Sequence, residues 1–248
     1  MMRLLFLLFA LLVSKTGFTQ QDIIPTAQGE VTMTPVLHAT LVLQWEGKTV
    51  YMDPYGGADK FSGFPGADLI CITHLHGDHF NKETLTGLDL TGTTLVAPQS
   101  VIDELGDIKF GKVITLANGE STDYSGIEVQ AVPMYNLPDD ETSRHPKGWG
   151  NGYVLTIGGK RFYFSGDTED IPEMRALPDI DFAFVCMNLP YTMDVEHAAD
   201  AVLDFKPGVV YPYHYRGSDG LSDVDKFRSL VNSADSKIEV RLRNWYPE

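Results

Sequence analysis

Six residues, His74-Leu75-His76-Gly77-Asp78-His79, carry four side chains able to bind a metal ion, and they follow the apolar run Ala67-Asp68-Leu69-Ile70-Cys71-Ile72. That run reads as a buried strand. A chain built this way must hold its histidines at a strand end, where the backbone is rigid enough to fix them. Imidazole and carboxylate together suit zinc, and also manganese or iron. The bland alternative is a polar loop with incidental histidines. It does not explain why three of the chain's seven histidines stand in fixed register with an aspartate.

The 248 residues allow one large domain or two small ones. The start is not expected to belong to the fold. Met1-Met2-Arg3 is basic, Leu4 to Val13 is unbroken apolar sequence, and Gly17 and Thr19 sit like the −3 and −1 residues of a cleavage site. Residues 1–19 therefore read as a secretory signal peptide. Ten apolar residues are too few to span about 30 Å of hydrocarbon, so no stable membrane anchor is expected, and the protein is expected to be periplasmic or extracellular. Losing Arg3 and Lys15 takes the net charge from −15 to −17. With no basic cluster, a nucleic-acid backbone is repelled over most of the surface. A small anionic substrate stays open, because bound metal ions dominate the field inside a site. Cys71 and Cys186 both lie in apolar runs, and free buried thiols are expected although export permits a disulfide.

Residues 20–248 show no linker, repeat or low-complexity tract and read as a single domain dominated by strands. Val36–Trp45 and Lys48–Met52 read as a hairpin ending at Asp53-Pro54. Further strands are expected at 93–97, 112–116, 127–133, 153–157, 161–165, 182–187, 209–211 and 238–242. Helices are expected at 80–88, 194–205 and 223–232, with a short one at 100–105 capped by Ser100. Tyr135 to Asn151 is a long polar loop carrying His145, Arg144 and Trp149, and a loop of that length in a compact domain points to function. His145, Asp167 and His214 join the first motif as candidate ligands; Asp167 and His214 each follow an expected strand.

Thr-His-Leu-His-Gly-Asp-His at 73–79, Ser-Gly-Asp-Thr at 165–168 and Tyr-His at 213–214 together resemble the metallo-β-lactamase superfamily, over the whole chain beyond the leader. His38-Ala39-Thr40, Asp53-Pro54 and Gly166-Asp167-Thr168 look like the branch containing ascorbate-6-phosphate lactonase and the phospholipase D acting on N-acyl-phosphatidylethanolamine. The resemblance implies an α/β (α+β) fold, an αββα sandwich of two mixed β-sheets flanked by helices. It also implies two divalent metal ions. His74, His76 and His145 would hold one, Asp78, His79 and His214 the other, and Asp167 would bridge them. Many relatives place the third histidine directly after the strand that here ends at Pro133-Met134-Tyr135. This chain has Asn136 there and delays its histidine to 145, so an exposed loop histidine is the competing reading of His145.

The chemistry implied is hydrolysis, with water acidified between two metals attacking a carbonyl carbon or a phosphorus; Asp78, Asp167 and His214 are the residues expected to be catalytic. A metal-bound histidine usually donates its second N–H to an acceptor. Asp53 is the candidate partner, or else a turn aspartate before proline. His38 is near the site or a structural histidine, and His197 a surface or capping residue. Candidate substrate contacts are Trp149, Asn188, Tyr191, Tyr213, Tyr215 and Arg216, where Arg216 suits a phosphate or carboxylate. The expected activity is a metal-dependent hydrolase of phosphodiesters, lactones or related small esters. A β-lactamase-type amide hydrolase, a di-iron redox variant and a non-catalytic metal-binding protein are the alternatives.

Overall fold

Successive residues of a strand point to opposite faces of its sheet. Here both faces are apolar, so both must be covered. The computed structural model describes residues 20–140 and 142–247; the leader read at 1–19 lies outside the described residues. One seven-stranded sheet runs in chain order through β1 (Asp22–Pro25), β2 (Glu30–Leu37), β3 (Thr40–Trp45), β4 (Lys48–Met52), β5 (Leu69–Cys71), β6 (Thr94–Ala97) and β7 (Lys112–Thr115). Leu41, Leu43, Leu69 and Cys71 turn toward the second sheet. Val42, Ile70 and Ile72 turn the other way, against Leu85 of α1 (Lys82–Thr86) and Val101 of α2 (Gln99–Asp103).

The second seven-stranded sheet contains β8 (Ser121–Tyr124), β9 (Ile127–Met134), β10 (Gly150–Ile157), β11 (Lys160–Phe164), β12 (Phe182–Cys186) and β13 (Val209–Tyr213). After a small hairpin of β14 (Arg216–Gly217) and β15 (Gly220–Leu221), it is completed by β16 (Glu239–Val240). Phe164, Phe184 and Tyr211 stack across its middle at centroid spacings of 4.8 Å, within 6° of parallel. Its far face is covered by α3 (Pro172–Arg175), α4 (Val195–Phe205) and α5 (Val224–Ala234), which bury Met174, Val202, Phe205, Phe227 and Val231. Helices, two mixed sheets and helices thus form the expected αββα sandwich. Both cysteines are buried free thiols, and among the described residues no helix is long and apolar enough to cross a membrane.

Each sheet is antiparallel through its first four strands and parallel from the fourth onward, at β4–β7 and at β11–β12–β13–β16. Ligands gather outside the carboxyl ends of parallel strands because the loops there are splayed and free of ladder bonding. Asp53 follows β4, the 73–79 motif β5, Asp167 β11, Asn188 β12 and His214 β13.

Two local expectations need correction. The run Val36–Trp45 is two strands, broken where His38 adopts φ 53°. Ser100 does not cap α2, whose cap is Pro98; its hydroxyl donates instead to the Trp149 carbonyl at 2.7 Å.

Candidate metal centre

The end of β5 is fastened to the second sheet before the histidines begin. The Tyr153 hydroxyl donates to the Ile72 carbonyl and the Asn151 amide to the Thr73 carbonyl. Gly150 permits this closeness, since a Cβ there would lie 2.9 Å from His74 Cβ and 2.9 Å from Met134 Sδ. From that anchored point His74, His79, His145, Asp167 and His214 are all buried, and His76 and Asp78 are partly buried at the rim.

Their donor atoms form two adjoining groups. His74 Nε2 and His145 Nε2 each lie 3.1 Å from His76 Nδ1. On the other side, His214 Nε2 stands 3.3 Å from Asp78 Oδ2 and 3.4 Å from Asp167 Oδ1, and His79 Nε2 stands 3.3 Å from Asp167 Oδ1. Asp167 Oδ2 reaches back to His145 Nε2 at 3.6 Å, so this one carboxylate faces both groups. Two donors each about 2.0–2.1 Å from a tetrahedral ion stand about 3.3 Å apart, and these spacings match.

Hydrogen bonding behind the rings fixes which nitrogen faces inward. Asp53 Oδ2 accepts from His79 Nδ1 at 2.8 Å and from the Thr73 hydroxyl at 2.7 Å, while its Oδ1 accepts from the Thr73 amide. Asn136 Oδ1 accepts from His145 Nδ1 at 2.8 Å. Thr73 Oγ1 lies 3.0 Å from His74 Nδ1, and His38 Nδ1 lies 3.4 Å from His214 Nδ1. Every buried imidazole therefore has a partner on its far side, the arrangement that orients metal-binding histidines. With Nδ1 donating to Asp53, neutral His79 turns a lone pair toward a carboxylate oxygen. His79 Nε2 and Asp167 Oδ1 are buried and have no hydrogen-bond partner. Two buried acceptors facing each other are costly unless a cation lies between them. The donor set thus fits a metal.

The electrostatics agree. Burial, helped by nearby imidazoles, pushes His74 well below its usual range and lowers His145 to about 4. Burial also opposes charge on His79, but Asp167, Asp53 and Asp78 overcome it and raise its pKa well above the ordinary value. Asp167 and Asp78 are held ionised by His214 and His79 in spite of their burial. This field attracts a cation, whether a proton or a metal ion.

A cavity of about 310 Å³ opens over the two groups, walled in part by His38, Asp78, Arg144, Asn188, Tyr191 and Arg216. Three expected contacts lie elsewhere. Tyr215 is buried against Tyr246 with its hydroxyl donating to the Arg243 carbonyl. The Tyr213 hydroxyl accepts from the Gly166 amide inside the protein. Trp149 packs on the His74 and His76 rings at 5.7 and 5.1 Å, bracing them outside the cavity. His197 is an exposed residue of α4. Thr73 was not expected to act at the site, and Arg144 was expected only as part of a functional loop, with no role of its own. Asn136 was visible as the residue occupying the expected histidine position at the end of β9, and its role is to hold the displaced His145.

Imidazoles and carboxylates converging at one edge of two mixed sheets define a metallo-β-lactamase fold with candidate metal-binding clusters at that edge. A family described as a β-lactamase superfamily domain matches residues 32–214. A UPF0173 metal-dependent hydrolase of Anaeromyxobacter dehalogenans is 32% identical over 243 residues, covering 87% of this chain and 85% of that one. Its counterpart in Pyrococcus abyssi is 29% identical over 215 residues, covering 82% and 93%. A crystal structure described as that of a metal-dependent hydrolase from Parabacteroides distasonis superposes with a TM-score of 0.81 at 37% identity, covering 91% and 99%. The chain belongs to the metallo-β-lactamase superfamily and, within it, to the UPF0173 family of metal-dependent hydrolases.

Proposed function

We propose that this metal-dependent hydrolase acts after export and cleaves a phosphodiester, lactone or related small ester with two divalent ions. His74, His76 and His145 would hold one ion, Asp78, His79 and His214 the other, and Asp167 both. The observation that carries this reading is the buried pair of facing acceptors, His79 Nε2 and Asp167 Oδ1, inside a ring of inward-turned donors. Zinc suits so imidazole-rich a set best, with manganese or iron as alternatives. When bound, such ions supply acidified water near neutral pH and positive charge for an oxygen that gains electrons.

The residues of the chain do the rest. Asp167 keeps the two groups at fixed separation. Asp78, ionised and on the cavity wall, accepts a hydrogen bond from the attacking water. The Asn188 Nδ2 amide, 3.4 Å from His214 Nε2, is placed to donate to a substrate oxygen. The branch containing the lactonase and the phospholipase D is favoured by Asp78 and Asp167, which set the chain apart from antibiotic-hydrolysing relatives. The leader-like residues 1–19 support export.

Turnover of bis-p-nitrophenyl phosphate and of a simple lactone, measured beside metal content, tests the reading. Asp167→Ala and His76→Ala are expected to lose most metal and nearly all hydrolysis. Full metal with no turnover of any ester would favour a non-catalytic metal-binding protein.

A further inference from the structure

Arginine is scarce in this acidic chain, which holds 34 acidic and 19 basic residues. Arg175, Arg228, Arg241 and Arg243 are each ion-paired with carboxylates. Arg144, Arg161 and Arg216 have no carboxylate ion pair among the described residues, and of these three Arg144 and Arg216 wall the cavity over the metal-ligand groups. They come from different parts of the chain. Arg144 stands in the long loop directly before His145, and Arg216 opens β14 two residues after His214.

Each guanidinium lies on a tyrosine ring. Arg144 Cζ is 4.5 Å from the Tyr191 centroid and Arg216 Cζ 4.5 Å from the Tyr246 centroid. Both platforms are fastened. The Tyr191 carbonyl accepts from Asn136 Nδ2, and the Tyr246 hydroxyl accepts from the Arg216 amide and lies 3.3 Å from His38 Nδ1. Stacking on an aromatic face steadies a guanidinium while its N–H edge stays free. That edge matches the paired oxygens of a carboxylate or phosphate. Arg144 is felt electrostatically at His76 and His145, and Arg216 at His38, and both line the one cavity. In a protein that repels anions over most of its surface, two unpaired cations at one opening form a local attractor. At about 310 Å³ the cavity is at the small end for a ligand site.

We propose that the substrate is a small anion whose phosphate or carboxylate, separate from the bond that is cleaved, is bound by the guanidiniums of Arg144 and Arg216. This rests on the hydrolase reading for the reacting end of the molecule and on the arginines alone for the charged end. The oxyanion is neither bonded nor changed, so the step is recognition.

The test is calorimetric titration of the full chain, as purified with its metal, with glutarate and with methyl phosphate. Wild type is expected to bind at least one of them. Arg144→Gln/Arg216→Gln is expected to weaken that binding tenfold or more at unchanged thermal stability, and the anion more affected identifies the group recognised. Lysine replacements are expected to fall between, keeping charge but losing the paired edge. Equal binding by wild type and the double glutamine variant would overturn the proposal, as would the absence of binding of either anion to wild type. Hydrolysis of a neutral p-nitrophenyl ester, run in parallel, separates the two claims. If turnover is absent while anion binding depends on the arginines, the hydrolase reading falls and the recognition site stands. If wild type turns over the neutral ester and the variants lose anion binding, both hold.

Discussion

His79 shows how one residue concentrates the chemistry of this site. Its Nδ1 is committed to Asp53 and its Nε2 faces Asp167, so the ring is fixed and its inner nitrogen meets the carboxylate only through a proton or a metal ion. Asp53 is held as firmly, in a left-handed conformation at φ 42° and bonded through both carboxylate oxygens. Asp53→Ala should therefore release the ring without removing any proposed ligand. Metal affinity measured by chelator competition should fall about 10–100-fold, and unchanged affinity would show that the buried carboxylate is only structural.

His145 carries a pH prediction. Its folded pKa of about 4 lies below the ordinary 6.5, so the unfolded chain takes up the proton first. The stability that neutral His145 contributes is present above 6.5 and lost as pH falls through about 4. His79, raised in the metal-free protein, runs the other way: its contribution is present below 6.5 and is lost as pH rises through its folded pKa. Because His74 and His145 are already deprotonated at mildly acidic pH, the ion proposed on the His74–His76–His145 group should survive dialysis below about pH 5.5 and be lost toward about pH 4, whereas the ion proposed on His79 must displace a proton and is expected to leave first as pH falls. Loss of all metal by about pH 6.5 would contradict the burial argument.

Single elements show what the sequence could and could not reveal. β5 was legible from its apolar run, β10 and β11 from the Gly158-Gly159 turn, and α4 from the periodicity following Asp194, whose carboxylate accepts from the His197 amide at 2.8 Å. Asp194→Ala should cost about 1 kcal/mol in denaturant unfolding. The break between β2 and β3 was not legible. It contains neither glycine nor proline, and His38 holds its left-handed turn with its carbonyl accepting from the His214 amide, 176 residues away. The displacement of Ser100 from cap to loop tether is likewise tertiary. At the centre, the 73–79 motif, Asp167 and His214 stood out as candidates because each follows a strand, whereas the partners behind the rings come from scattered positions with no shared spacing. Gly152 is another element-scale constraint: a Cβ there would lie 3.0 Å from both the Phe164 and Ser165 carbonyls. Backbone cannot yield as a side chain can, so Gly152→Ala should destabilise the β10–β11 pairing by about 1–3 kcal/mol.

At the scale of the whole molecule, two sheets of like topology bring their parallel ends to one edge, and the centre joins them there. His74, His76 and His79 belong to the first sheet's loops, His145, Asp167 and His214 to the second's. A cation bound between them ties the halves together and stabilises the folded state by mass action. Chelation should then lower the melting temperature by about 10 °C for ions held at 1,000 times their dissociation constant, and an unchanged melting point would deny the centre that joining role. The measurement closest to the central claim is metal content per chain by mass spectrometry, on wild type and Asp167→Ala side by side. Close to two divalent ions are expected in the wild type, and a loss of most of them in the variant. A wild type that takes up no metal when offered zinc, manganese or iron, or a variant that retains both ions, would contradict that claim.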